Sequence, residues 1–221
     1  MMLELSAVNS SWRTTLNRRT LARMLGWHLI FSVYGFWLPN DERGSGSSSV
    51  RAQHIYEAGG EATKVYTTHS VAARPHDVRM RRRAKESLKY PAVLLTGLQA
   101  RAVARGIEAV VPKIGLTIHA CAIMPDHVHV VVARHRLDGD ELIACLKRAG
   151  TRGMNAEGIH PMRDHPRANG RLPTPWAGGG WKVMLFSPEQ MYAAIRYVEQ
   201  NPVRAGFMAQ RWSFVAPYVG Y

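Results

Sequence analysis

Hydrophobic positions recur along this chain with two periods, and the places where the period changes mark its elements. Trp27–Leu38 (WHLIFSVYGFWL) is rich in aromatic and β-branched residues and predicts a first core strand, which Pro39-Asn40-Asp41 ends. Glu42 to Ser49 is a polar, Gly/Ser-rich loop, and 50–76 lacks clear periodicity, as an insertion carrying short irregular elements does. A basic helix opens at Asp77. Thr96–Val111 shows Val103, Ile107, Val110 and Val111 at helical spacing, with Pro112 as its stop. Leu116–Met124 and Val128–Ala133 read as antiparallel strands connected tightly at Pro125-Asp126. Asp140–Asn155 is a second amphipathic helix, with Leu142, Leu146 and Ala149 inward and Lys147, Arg148 and Arg152 outward. Residues 158–180, rich in Pro and Gly, form a long irregular loop, and Trp181–Phe186 is a short strand. Ser187 then caps a last helix, with Pro188 at its first position and Gln190 completing a capping box; it runs to about Gln200 and stops at Asn201-Pro202.

The order β-α-α-β-β-α-β-α implies an α+β fold, an antiparallel sheet with helices packed on one face. One domain spans 27–215, interrupted by the insertion near 45–76. A basic leader over 1–26 precedes it, either loosely ordered or a short helix from Thr14 to Leu25, and a tail over 216–221 follows.

Charge narrows the partners. Lys and Arg number 29 against 16 Asp and Glu, a formal net charge of +13, which favours a polyanion with nucleic acid first. No apolar run approaches the ~20 residues of a spanning helix, so no membrane partner is expected. The two cysteines, Cys121 and Cys145, fall inside predicted core elements and suit buried thiols in a reducing cytoplasm, nucleoid-associated if the partner is DNA. Arg79, Arg81, Arg82, Arg83, Lys85 and Lys89 cluster on the basic helix, as a solvated face or as a phosphate-contacting one.

The candidate chemistry lies in Pro125-Asp126-His127-Val128-His129-Val130-Val131-Val132. Alternate side chains of a strand share a face, so His127 and His129 project together while Val128 points away. Two neutral imidazoles on a rigid strand are half of a metal site, or two buried structural histidines. On the last helix, Met191, Ala194, Ile195 and Val198 form the apolar stripe. Tyr197 and Asn201 sit four apart on one flank, and Tyr192 with Arg196 on the other. A helix docked through that stripe brings Tyr197 beside the His pair and Asn201 toward the same metal; from helix position alone, Tyr197 also reads as an amphipathic rim tyrosine. A phenol is a poor nucleophile unless its electrophile is activated. A divalent cation, Mg or Mn, held by His127, His129 and an amide or carboxylate oxygen would polarise a phosphodiester for attack by Tyr197. That attack leaves a 5′-phosphotyrosine link and a 3′-OH, and a second 3′-OH can reverse it without external energy.

Met124 to Val132 resembles the HUH motif (histidine, bulky hydrophobic, histidine) of the single-tyrosine transposases of insertion sequences. Tyr197-Val198-Glu199-Gln200-Asn201-Pro202-Val203-Arg204-Ala205-Gly206 resembles the tyrosine helix of their REP-associated branch, and Tyr34 to Gly44 resembles the first strand and following loop of that branch. The likeness spans most of 27–215; the departures are the leader, the insertion around 45–76 and Asp126 where many relatives carry Asn. The resemblance implies an HUH-endonuclease (ferredoxin- or RRM-like) architecture with the His pair on a central strand. It also implies single-stranded DNA beside an imperfect hairpin as substrate, and cleavage and strand transfer through a covalent tyrosine intermediate. By position Tyr197 takes the nucleophile role, His127 and His129 the metal ligands, and Asn201 the third ligand, with Gln200 in its place if the helix register differs. A homodimer is the candidate assembly.

Lys182, Arg196 and Arg204 fall near the expected site as phosphate ligands, and Arg43, Arg81 and Arg82 are candidates for the hairpin backbone. Trp176 and Trp181 flank Gly178-Gly179-Gly180 and serve either as stacking platforms for unpaired bases or as core aromatics. Two other readings stand beside the transposase: a domesticated hairpin-DNA-binding protein without cleavage, and a basic RNA-binding module, which would show exposed sheet aromatics.

Overall fold

The computed structural model describes residues 23–42, 44, 49–50, 52–63 and 76–220. All but the last residues of the expected leader, together with Arg43 and most of the insertion, lie outside the described residues. Within them the chain forms β1 (Gly26–Ser32), α1 (Gln53–Gly59), α2 (Val78–Glu86), α3 (Gly97–Ile114), β2 (Ile118–Ile123), β3 (His127–Ala133), α4 (Gly139–Ala156), β4 (Trp181–Leu185) and α5 (Pro188–Arg204).

The strands make one antiparallel sheet in the order β2-β3-β1-β4, so the two central strands are β3 and β1. Period-2 alternation divides its side chains between two layers. Trp27, Leu29, Phe31 and Val33 of the first strand segment join Val128, Val130 and Val132 of β3 in the larger core, against Val103 and Ile107 of α3 and Leu142 and Leu146 of α4. Ala120, Ala122, Val131, Val183 and Leu185 emerge on the opposite face, where Met191, Ala194 and Val198 of α5 cover them. Helices therefore lie on both faces, not on one as the element order suggested. The reason is that the alternate positions facing away from the main core, Ala120, Ala122, Val131, Val183 and Leu185, are also apolar enough to need cover.

The boundaries move for local reasons. β1 ends at Ser32, six residues early, because Tyr34-Gly35 turns with Gly35 at φ 87°, and Trp37 and Asn40 are also left-handed (φ 56° and 61°). α3 passes through Pro112, which sits in the final turn, and ends at Gly115 in the left-handed region (φ 68°, ψ 36°). α5 likewise continues through the buried Pro202 to Arg204, and the Ala205 N–H bonds back to the Asn201 carbonyl at 3.1 Å. At its start the Ser187 side chain accepts from the Gln190 N–H, but the Gln190 side chain reaches past Ser187 to accept from the Phe186 N–H at 2.7 Å, so the expected capping box is not closed. Thr96 and Asp138 do form capping boxes, with Gln99 and Glu141.

α4 is amphipathic as predicted, except at Lys147. Its ammonium turns back to donate to the carbonyls of Ala177 (2.7 Å) and Gly179, lying over the Phe31 ring, and burial pushes it down to about 8. The 158–180 segment is thereby pinned: Trp176 packs edge-on against Phe31 (5.4 Å between ring centres) and donates to the Lys147 carbonyl and Thr151 hydroxyl, both at 2.9 Å. Trp176 is thus a core aromatic, not a stacking platform. Trp181 is half-buried against the α5 layer. Cys121 and Cys145 are buried free thiols, and burial pushes the Cys121 thiol up. No described helix is long and apolar enough to cross a membrane.

α3 and α4 approach so closely at Gly106 and Gly153 that the backbones touch. A Cβ on Gly153 would stand 2.0 Å from the Ala102 carbonyl oxygen, and one on Gly106 would stand 2.1 Å from that of Ala149. Gly153→Ala is therefore expected to force the helices apart and cost about 1–3 kcal/mol in urea unfolding, despite the better helix propensity of alanine. Gly97→Ala, which meets open space at the start of α3, is the matched control and should be neutral or slightly stabilising.

Candidate metal and nucleophile site

The site begins with the register of β1 on β3: Ser32 faces His127, Ile30 faces His129 and His28 faces Val131. His28, Ile30 and Ser32 share the face of His127 and His129, the face that α5 covers. The rings of His127 and His129 stand 4.7 Å apart, close to perpendicular (83°).

Each imidazole is held through its Nδ1. His127 Nδ1 lies 2.6 Å from the Asp126 carboxylate. His129 Nδ1 lies 3.0 Å from Nε2 of His28, whose ring stacks on it at 5.2 Å. These contacts leave Nε2 of both His127 and His129 without a hydrogen bond to the described residues. His28 and His129 are only 3% and 4% exposed. Burial pushes His28 down to about 4. Burial, and then the neighbouring His28 and His127 rings, hold His129 well below the usual histidine range. Both are neutral near pH 7, the form in which an imidazole offers a lone pair to a metal.

Tyr197 completes the cluster. The stripe Met191, Ala194 and Val198 is buried, as its spacing predicts, and seats α5 across β2 and β3. The Tyr197 ring then stands edge-on to His129 at 5.5 Å and to His28 at 5.8 Å. It remains 44% exposed, so a large substrate can reach it. Tyr192 packs on Tyr218 of the tail at 5.1 Å, away from the histidines. Asn201 is half-buried one turn beyond Tyr197, and no hydrogen bond joins its amide to either histidine. Gln200 points outward and accepts from Arg204 Nη2 at 2.7 Å. Trp37, in its left-handed conformation, sets its ring 6.1 Å from that of His127.

The donor set suits a divalent cation: two imidazoles whose Nε2 atoms have no hydrogen bond among the described residues, with an exposed oxygen-bearing side chain alongside. Among the described residues no group of three His, Cys, Asp or Glu side chains is spaced to hold a metal. A third protein ligand would therefore be an amide such as Asn201, the remaining positions being open to water or substrate oxygen.

The basic candidates distribute differently. Lys182 pairs with Leu29, so alternation sends it to the opposite face of the sheet, where it is ion-paired with Asp140. It is not a free phosphate ligand beside the histidines. Arg196 is exposed on the outer side of α5, and Arg204 lies two turns from Tyr197 on the same side. Arg81 is half-buried on α2, and Arg82 is exposed beside Glu86 at 3.6 Å. The residue that sequence reasoning missed is His28. Its signal was the alternation of Trp27 to Val33, in which His28 and Ser32 are the polar members of an otherwise apolar run.

No protein-family model matches the chain, and no curated protein does. Among solved structures, the chain is similar to a REP-associated tyrosine transposase bound to a REP hairpin. The identity is 12%, 83% of this chain and 70% of that one are covered, and the TM-score is 0.41. A likeness at that level assigns neither activity nor substrate, which rest on the chain's own residues.

The neutral histidines make stability depend on pH. A histidine held at about 4 when folded and 6.5 when unfolded takes up its proton on unfolding. Its contribution is therefore complete above pH 6.5 and is lost as pH falls from 6.5 toward 4. In EDTA, urea unfolding at pH 5 should give a stability about 2 kcal/mol below that at pH 7 from His28 alone. A flat profile through that window would contradict the burial described.

Proposed function

We propose that this chain is a metal-dependent endonuclease and strand transferase, a transposase of the single-tyrosine HUH kind, acting on single-stranded DNA beside a hairpin. The observation that carries the reading is the exposed Tyr197 ring, 5.5 Å from a His129 whose Nε2, like that of His127, has no hydrogen-bond partner among the described residues.

His127 and His129 would hold Mg or Mn, with Asn201 supplying an amide oxygen. The bound cation supplies Lewis-acid polarisation of a phosphodiester oxygen and offsets the charge that develops on it. The residues of the chain do the rest. The α5 stripe holds Tyr197 at the edge of the pair, and His129, kept neutral by burial, adds no positive charge that would repel the cation. Tyr197 Oη, losing its proton to water, bonds to phosphorus as the P–O3′ bond breaks; the 3′ oxygen leaves and is protonated by solvent. The 5′-phosphotyrosine conserves the ester, so a second 3′-OH can displace the phenol and rejoin strands. The net charge of +13 draws the polyanion in, and Arg196 and Arg204 on α5, with Arg81 and Arg82 on α2, are proposed to hold its phosphates. The RNA-binding module loses its main feature, because both faces of the sheet are covered by helices and present no open aromatic platform.

Incubation with a labelled single-stranded hairpin oligonucleotide and Mn or Mg should give an adduct that survives denaturing electrophoresis. EDTA should prevent it. Tyr197→Phe should reduce it to background while hairpin binding persists, and Tyr192→Phe should leave it unchanged. An adduct that persists in Tyr197→Phe overturns the assignment of the nucleophile. Binding by the wild-type chain without any adduct makes it a hairpin-binding protein that does not cleave.

A further inference from the structure

His28 lies outside the motif that marks the candidate site, in the first strand, a hundred residues earlier. The sheet brings it there: β1 on β3 pairs Ile30 with His129, and His28 is the diagonal neighbour on the same face. Its Nε2 is 3.0 Å from His129 Nδ1, and the two rings are stacked at an interplanar angle of 30°. One proton serves that contact, and its position decides whether His129 can bind a cation. If His129 donates Nδ1–H to His28, its Nε2 carries a lone pair. If His28 donates instead, Nε2 of His129 carries the hydrogen and cannot ligate.

His127 has the same arrangement with a different acceptor, since its Nδ1 meets the Asp126 carboxylate at 2.6 Å and its Nε2 has no hydrogen bond among the described residues. An ionised carboxylate can only accept, so against Asp126 the Nδ1 of His127 is the donor. We propose that His28 is the positioning residue for His129. It accepts Nδ1–H through its own Nε2, and so fixes the tautomer and ring plane that turn Nε2 of His129 to a divalent cation. His28 also stands edge-on to Tyr197 at 5.8 Å, so the same ring packs against the residue proposed as nucleophile. It binds no metal itself, because its Nε2 is taken up by His129 and its Nδ1 then carries the hydrogen. The arrangement follows the general rule that a ligating histidine is oriented by the partner of its other nitrogen.

The inference rests on the metal reading above, and its test separates the two. Mn binding to the full chain is measured by electron paramagnetic resonance, without DNA. His28→Phe keeps the ring volume but has no acceptor, and should weaken Mn binding about 10- to 100-fold. His28→Gln, which restores a side-chain oxygen near the same place, should recover part of the loss. If Mn binding is unchanged in His28→Phe but lost in His127→Ala, the positioning role is wrong and the metal reading stands. If His127→Ala leaves Mn binding unchanged, the metal reading fails and the inference fails with it. A second measurement needs no variant: long-range 1H–15N correlation on the metal-free wild-type chain should show His129 as the Nδ1–H tautomer. The Nε2–H form would overturn the proposal whether or not the variants fold.

Discussion

The pairing of β1 with β3 is the constraint on which the rest depends. Its register sets Ser32, Ile30 and His28 opposite His127, His129 and Val131, and a slip of one residue would send every one of them to the other face. The apolar alternation that fixes the register is strong on one side. Trp27, Leu29, Phe31 and Val33 must be buried under α3 and α4 together with Val128, Val130 and Val132. The polar members of the same strands are then committed to the side that α5 covers. A cluster of buried histidines is costly to assemble, and the larger core on the far face supplies the free energy that holds it.

That division of labour explains the character of the site. The α3–α4 layer is packed to backbone contact at Gly106 and Gly153, so the sheet beneath the histidines has little freedom to shift. The α5 layer is thinner. It buries Met191, Ala194, Val198 and Pro202 but leaves Tyr197 on its margin, half in contact with the histidines and half in solvent. The nucleophile proposed for a large polyanion would need that position, held from one side and open from the other.

Much of this was legible in the chain. The strand and helix positions follow from the two periods, apart from α1, which forms in the aperiodic insertion. The His pair and the α5 stripe follow from alternation and helical spacing, because each depends on a single element. What was not legible depends on two elements at once. Helices on both faces require knowing that Ala120, Ala122, Val183 and Leu185 gather on the side opposite the main core. Lys182 falls in the strand that leads into α5, but its alternation with Val183 sends it to Asp140. Lys147 was read as solvated from helix position, and the loop carbonyls that claim it lie some thirty residues away. His28 was hidden inside a run read simply as a core strand, and only the register on β3 gives it a partner. The prolines misled in another way, since at the end of a helix a proline removes one hydrogen bond and does not stop the chain.

The central claim is that Tyr197 forms the covalent link to DNA, and peptide mapping tests it most directly. Cleavage after Lys182, Arg196 and Arg204 places Tyr192 in the peptide Val183–Arg196 and Tyr197 in the peptide Tyr197–Arg204. After reaction with a hairpin oligonucleotide and Mn, followed by nuclease and trypsin, mass spectrometry should find the remnant nucleotide on Tyr197–Arg204 and on no other tyrosine. A remnant on Val183–Arg196, or none on any tyrosine while strands are cleaved, would contradict the account.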